Sequence, residues 1–329
     1  MRLFIRTEAS SQIGLGHFMR CFAIAEEART QGIEVTFLLN DIGEEVRTRL
    51  DTIDAQGMAI AGSLGDAADF MTMSGLDLTR GDWLLIDSYA ATEGYIALQK
   101  NAVRVAVIDD LNALENFACD LIINPAQAAR RADYERKTRA KLLLGANYAL
   151  IRKEFLAGTA LMEKKATVTI MFGGSDPTQL TARCAQAVHA ALPAADIRLI
   201  AGPANQHTDD LLLLARESDR IRVFISPESV ADMLAGSALV ITAAGGSVGE
   251  VAAMGLPALV LVVYDNQAAA LKACPFPVMD ARNGLPDDLG IRVKALMDDA
   301  LMRAEIAQKA HAAVDGLGPK RIVEAMLNV

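Results

Sequence analysis

The chain has 329 residues, 52% of them hydrophobic and 22% charged, with a formal net charge of −9. That length suits two ordinary domains better than one core, and the composition is that of a packed globule rather than a disordered chain. The acidic balance, with no cluster of Lys and Arg among aromatics, argues against nucleic-acid binding, so any anionic ligand must be held locally.

Residues 2–6 read as a strand, and residues 18–31 carry apolar side chains at helical spacing until Gly32 stops them. Between them runs Arg6-Thr7-Glu8-Ala9-Ser10-Ser11-Gln12-Ile13-Gly14-Leu15-Gly16-His17, a glycine loop entering a helix. Such a loop brings unpaired backbone N–H groups and the positive end of a helix dipole to one point, where a phosphate can bind. His17 lands at the helix start, and imidazole is the side chain able to exchange a proton near neutral pH beside a bound phosphoester. The plainer reading is a histidine packed at a helix N-terminus.

Residues 33–39 form a second strand and 43–55 a polar-faced helix. Short apolar runs at 83–87, 104–109 and 120–124 read as buried parallel strands. In parallel sheets ligands bind at the carboxyl ends of strands, where Asp87, Ser88, Tyr89, Asp109 and Asp110 fall. Asp87 and Tyr89 are candidate substrate contacts, whereas Asp109 and Asp110 are expected to cap the following turns. Charged residues at 163–165 follow the first half, and the expected division is 1–158 and 159–329, joined by a short hinge and facing a common cleft.

The pattern then restarts with a strand at 167–172, the loop Gly173-Gly174-Ser175-Asp176, and a helix opened by Pro177 and running to about Leu192. Further strands are expected at 197–201, 222–225, 238–242 and 257–263. Ala243-Ala244-Gly245-Gly246-Ser247-Val248-Gly249-Glu250 is a second glycine loop entering a helix. Ser247 with Glu250 also matches a capping box, but that box needs no glycine pair. Residues 291–329 read as consecutive helices broken at Gly316-Leu317-Gly318-Pro319, the last of them free to cross back to the first domain.

Cys21, Cys119, Cys184 and Cys274 form no C-x-x-C pair and read as reduced core residues; His189, His207 and His311 neighbour no glycine loop and read as structural. No metal site is expected. The first residues form a strand rather than a basic and apolar leader, and no apolar run is long enough to span a bilayer. A cytoplasmic monomer without membrane insertion is expected.

Four stretches carry a resemblance. Arg6 with Ser10 to Cys21 resembles the opening signature of the UDP-2,4-diacetamido-2,4,6-trideoxy-β-L-altropyranose hydrolases of pseudaminic acid biosynthesis. Leu144 to Phe155, which includes Arg152, is similar to their mid-chain motif, and Phe172 to Pro177 to their second-domain entry. Gly245-Gly246-Ser247, Glu250, Gly255-Leu256-Pro257 and Asn266-Gln267 resemble the nucleotide-binding region shared with the peptidoglycan N-acetylglucosaminyltransferase. Two positions depart from the pattern, Glu8 in place of Asp and Gly249 in place of Trp, and both bear on the sugar pocket.

The resemblance implies an α/β chain of two Rossmann-like domains of parallel sheet facing one cleft, the GT-B architecture. It implies hydrolysis of a UDP-linked diacetamido-trideoxy hexose, with His17 as general base and no cofactor or metal. Substrate contacts would come from Arg6, Ser10, Gly14, Gly16, Arg20, Asp87, Tyr89 and Arg152. Further contacts would come from Gly173, Gly174, Ser175, Gly245, Gly246, Ser247, Glu250, Asn266 and Gln267, with Glu250 on the ribose. The alternatives are a glycosyltransferase using the same donor and a soluble acceptor, and a catalytically silent sugar-nucleotide-binding protein.

Overall fold

A computed structural model describes residues 1–9, 15–156 and 166–328. The chain divides into two units, Met1–Arg152 with Gly316–Val329, and Lys153–Asp315.

The first unit alternates strands and helices: β1 Arg2–Thr7, α1 Gly16–Thr30, β2 Glu34–Leu39, α2 Glu44–Thr52, β3 Gln56–Ala59, α3 Ala67–Gly75, β4 Trp83–Asp87, α4 Glu93–Lys100, β5 Arg104–Ile108, β6 Leu121–Asn124 and β7 Lys141–Leu144. The strands are parallel in the order β3-β2-β1-β4-β5-β6-β7. Strand order reverses between β1 and β4, and the crevice beyond their carboxyl ends is where such a sheet takes its ligand. The register places Thr7 against Asp87 there.

Helix α1 forms because Phe18, Cys21, Phe22, Ile24, Ala25 and Ala28 recur at helical spacing and bury one face against the sheet. Its opposite end is closed by a turn at Gly32, whose φ of +74° suits glycine. Burial of Trp83, Leu84, Leu85 and Ile86 without alternation reflects a central parallel strand covered on both faces.

The second unit contains β8 Thr167–Met171, α5 Leu180–Ala191, β9 Asp196–Ala201, α6 Thr208–Glu217, β10 Ile221–Ile225, α7 Val230–Leu234, β11 Leu239–Ala243, α8 Ser247–Ala253, β12 Ala258–Val262, β13 Val278–Asp280, α9 Leu289–Asp298 and α10 Ala300–Ala313. Its parallel order is β10-β9-β8-β11-β12-β13, with the reversal between β8 and β11. The loops beginning at Gly173 and Ala244 therefore leave the two strands that flank this unit's own switch point.

The chain ends in α11, Gly318–Leu327, which belongs to the first unit. It buries Pro319, Ile322, Val323, Ala325 and Met326, and the Trp83 indole Nε1 donates to the Met326 carbonyl at 3.0 Å. A Cβ on Gly318 would lie 2.1 Å from the Ala149 carbonyl oxygen, so only glycine lets the helix start at this depth.

The helix expected to open at Pro177 instead begins at Leu180. Gly173, Asp176 and Gln179 all have positive φ, and the turns they impose delay the helix. The buried Asp176 carboxylate accepts from the N–H groups of Leu180 and Thr181 at 2.9 and 2.8 Å, and so caps the later start. Strands β3, β7 and β13 were not anticipated by apolar patterning, because they are short edge strands with little burial: β3 is exposed throughout, and β7 and β13 each bury a single residue.

Candidate functional site

At the switch point of the first unit, three residues of α1 converge on one carboxylate. His17, Arg20 and Cys21 stand at helical positions i, i+3 and i+4 and share a face. His17 Nδ1 lies 2.9 Å from Asp87 Oδ1. Arg20 Nε donates to Asp87 Oδ2 at 2.6 Å and Arg20 Nη2 donates to Asp87 Oδ1. Cys21 Sγ donates to Asp87 Oδ2 at 3.4 Å. A second carboxylate completes the group: Asp110 Oδ2 accepts from Arg20 Nη1 at 2.6 Å and from the Tyr89 hydroxyl at 3.0 Å. The Tyr89 ring meets the His17 imidazole edge-on, 4.7 Å between centroids.

Asp87 is fully buried. Burial is the largest influence on it and opposes ionisation, but the charge and hydrogen bonds of Arg20 and the His17 contact outweigh it and hold the carboxyl down to about 2. Burial likewise works against the Arg20 charge, and Asp87 with Asp110 more than restores it. Burial and the neighbouring Asp87 push the Cys21 thiol well up, so it is an inert proton donor.

Among the residues expected here, His17, Arg20, Asp87 and Tyr89 are brought together. Gly16 opens α1 and has open space where a Cβ would stand. Ser10 and Gly14 lie outside the described residues, and Arg152 is buried at the end of the unit. Arg6 is fully buried and turned into the sheet: Nε donates to Asp69 Oδ1 at 2.7 Å and Nη1 to Asn40 Oδ1 at 3.1 Å and to the Thr7 carbonyl at 3.0 Å. It ties β1 to α3.

Asp109 caps its turn, accepting from Asn112 N at 2.9 Å and from the Tyr134 hydroxyl at 2.6 Å. Asp110 is the residue that strand-end reasoning set aside. The signal available was the Asp-Asp pair at the end of β5 together with the 17/20/21 spacing on α1.

In the second unit, the two glycine loops differ in kind. Gly173 has φ +77°, and a Cβ on Gly202 would lie 2.4 Å from the Gly174 Cα, so the first pair is partly explained by backbone packing. Gly245 and Gly246 need no positive φ, and a Cβ on Gly246 would meet nothing within 4 Å. Open space beside an unstrained glycine is what close approach of a ligand to the backbone requires. Ser175 is half-buried beside the first loop.

Helix α8 starts one residue too early for a Ser247–Glu250 capping box. Gly246 is its N-cap and makes no side-chain cap bond, so Ser247 and Glu250 sit inside the helix. Gln267 Oε1 accepts from the N–H groups of Val263 at 2.9 Å and Tyr264 at 3.4 Å, which turns the chain after β12 and leaves Nε2 near the Gly245 loop. Asn266 is exposed on the same turn. Among the described residues no three His, Cys, Asp or Glu side chains form a metal-binding group. No helix among them is long and apolar enough to cross a membrane.

Two parallel Rossmann-like sheets, each with its loops at a switch point, define the GT-B class of fold, and solved structures agree. Acinetobacter baumannii MurG superposes with a TM-score of 0.64 at 17% identity over all of both chains. A UDP-N-acetylglucosamine 2-epimerase described as putative, from Listeria monocytogenes, gives 0.66 at 16% over 98% of this chain and 94% of that one. The pneumococcal O-GlcNAc transferase GtfA, solved with UDP and GlcNAc, gives 0.66 at 11%, over 100% and 99%.

Within that class the chain resembles the UDP-2,4-diacetamido-2,4,6-trideoxy-β-L-altropyranose hydrolase of Campylobacter jejuni, at 26% identity over 76% of this chain and 87% of that protein. It is also similar, at 22% identity over 81% of its length, to an uncharacterized protein of Methanocaldococcus jannaschii, of which it spans 56%. No family model matches.

Proposed function

We propose that the protein hydrolyses a UDP-sugar, freeing UDP and a reducing sugar. The observation that carries this reading is His17 at the switch point of the first unit, held against Asp87 at 2.9 Å. In the proposed step His17 takes a proton from water as the water oxygen bonds to the anomeric carbon. The bond from that carbon to the diphosphate oxygen breaks, and UDP leaves with the electron pair. A positioned base contributes roughly 10²–10⁴-fold, and backbone N–H groups aimed at the diphosphate stabilise the charge it gains.

In the second unit, the open backbone at Gly245 and Gly246, with Ser247 and Ser175, is proposed to hold the diphosphate, and Glu250 the ribose hydroxyls. Asn266 and Gln267 follow on the turn beyond β12. The likeness to the Campylobacter hydrolase supports a diacetamido-trideoxy hexose as the sugar, in biosynthesis of a nonulosonic acid of the pseudaminic type. Cytoplasmic location and a monomeric state belong to the same proposal.

A second reading, transfer of the sugar to a soluble acceptor, is favoured by the fold shared with an O-GlcNAc transferase. Incubation with UDP-sugar and no acceptor separates the two. UDP release at enzyme-like turnover is expected; release only after an acceptor is added would establish transfer, and binding without turnover would establish a silent module.

A further inference from the structure

The ring contacts of His17 bear on which of its nitrogens is available for chemistry. Two nitrogens converge on Asp87 Oδ1: His17 Nδ1 at 2.9 Å and Arg20 Nη2, which are 3.1 Å from each other. A guanidinium nitrogen has only protons to offer, and an ionised carboxylate only lone pairs. A bare Nδ1 would accept from Arg20 Nη2 at 3.1 Å, but its lone pair would at the same time face an ionised Asp87 oxygen at the shorter distance of 2.9 Å, a repulsive contact with the full negative charge. With a proton on Nδ1, two donors share one acceptor oxygen, and the short nitrogen-to-nitrogen distance follows from that sharing.

The remaining groups around the pair hold this arrangement. Arg20 Nε and Cys21 Sγ donate to the other Asp87 oxygen, so both carboxylate oxygens act as acceptors. Asp110 fixes the far side of the Arg20 guanidinium, and the Tyr89 hydroxyl fixes Asp110. Tyr89 also sets the tilt of the imidazole through its edge-on ring contact. The His17 side chain is 12% exposed while that of Asp87 is not exposed at all. Among the described residues none hydrogen-bonds His17 Nε2.

We infer that Asp87 is a positioning residue rather than a substrate ligand: it accepts the Nδ1 proton of His17, selects that tautomer, and leaves Nε2 as the nitrogen that takes a proton from water. The balance is simple. The neutral ring enters with one proton, on Nδ1; Nε2 gains the water proton as the oxygen bonds to carbon; the imidazolium then returns that proton to solvent. Asp87 stays ionised throughout and bears the imidazolium charge, the part a buried carboxylate plays behind a histidine base elsewhere. This assignment rests on the hydrolytic reading for the water, but the tautomer itself does not.

The test therefore begins with a measurement independent of turnover. Nitrogen-15 NMR of histidine-labelled protein, at mildly alkaline pH where neutral rings are observed, distinguishes a protonated Nδ1 from a protonated Nε2. The chain has four histidines, and the His17→Asn spectrum identifies the signals of His17. The expected result is Nδ1–H with a bare Nε2; a protonated Nε2 in the wild-type protein would overturn the inference.

Asp87→Asn supplies the second arm. An amide cannot offer acceptors on both sides, so the tautomer preference should weaken and kcat fall about 10²–10⁴-fold, with Kd for UDP within a few fold. Unchanged kcat in a folded Asp87→Asn protein would also overturn it. Should that variant not fold, the wild-type spectrum still decides. A wild-type protein with Nδ1–H but no acceptor-free UDP release would refute hydrolysis alone.

Discussion

At the scale of single residues, the first expectation concerns His17. Replacing it with Asn keeps a polar side chain that cannot take a proton near neutral pH. UDP release should then fall by about the 10²–10⁴-fold that a positioned base contributes, with UDP affinity within a few fold by calorimetric titration. Unaltered kcat would remove His17 from the chemistry. Glu250 separates in the same way: the N-cap of α8 is Gly246 rather than Ser247, so the Ser247–Glu250 capping box does not match the helix start. Glu250→Ala should raise Kd for UDP about ten- to a hundredfold, the loss of a charge-assisted hydrogen bond of roughly 1.5–3 kcal/mol, with little change in the apo melt. A destabilised variant with unchanged Kd would return Glu250 to a structural role.

Asp87 also makes stability depend on pH. Its folded value, about 2, lies below the roughly 3.9 of an unfolded aspartate, so the folded state favours the ionised form. The sign follows: the contribution is complete above about pH 4 and is lost as pH falls through the folded value near 2. It amounts to roughly 2–3 kcal/mol, since the difference is nearly two units and each is worth about 1.4 kcal/mol. Denaturant unfolding of wild type and Asp87→Asn between about pH 5 and 2 should show curves that converge on acidification. Parallel curves would mean that Asp87 is not ionised by its neighbours.

At the scale of elements, α11 and the turn Ala146–Tyr148 depend on contact too close for any side chain. Gly318 faces the Ala149 carbonyl, and Arg321 Nη1 donates to the Asn147 carbonyl at 2.9 Å. Gly318→Ala should force the helix outward and destabilise the first unit by about 1–3 kcal/mol, the usual cost of overpacking. A melting temperature equal to wild type would show that the helix shifts without cost. Local patterning identified most helices and central strands because burial on one or both faces imposes a period. It failed where the backbone rather than the side chains decides. The positive φ values at Asp176 and Gln179 delay α5, and nothing in Pro177 announces them.

At the scale of the whole molecule, the net charge of −9 opposes approach of an anion, so the nucleotide-sugar proposed as ligand would be held by local dipoles and a few side chains. The proposed chemistry uses helix-end and backbone donors in that role. Hydrolysis should therefore persist in EDTA; loss of activity restored by Mg²⁺ or Mn²⁺ would place a cation in the reaction and direct attention to Asp110. The terminal helix returns to the first unit, so residues far apart in sequence, Trp83 and Met326, share one core.

The sequence by itself determined the class of the fold, because alternating buried strands and amphipathic helices leave a parallel sheet as the way to bury them. It also located the glycine loops and placed His17 at a helix start, since these are local patterns of neighbours in the chain. Only the tertiary structure decided what those residues face. The pairing of β1 with β4 brings Asp87 beside His17 and Arg20, and the next strand adds Asp110, which strand-end reasoning had assigned to a turn. Arg6, expected to contact ligand, pairs through Nε with Asp69 of α3, a partner that its register in β1 sets and that no local pattern shows. A side chain's partners depend on strand order and register, and those are set by long-range packing that no local pattern contains.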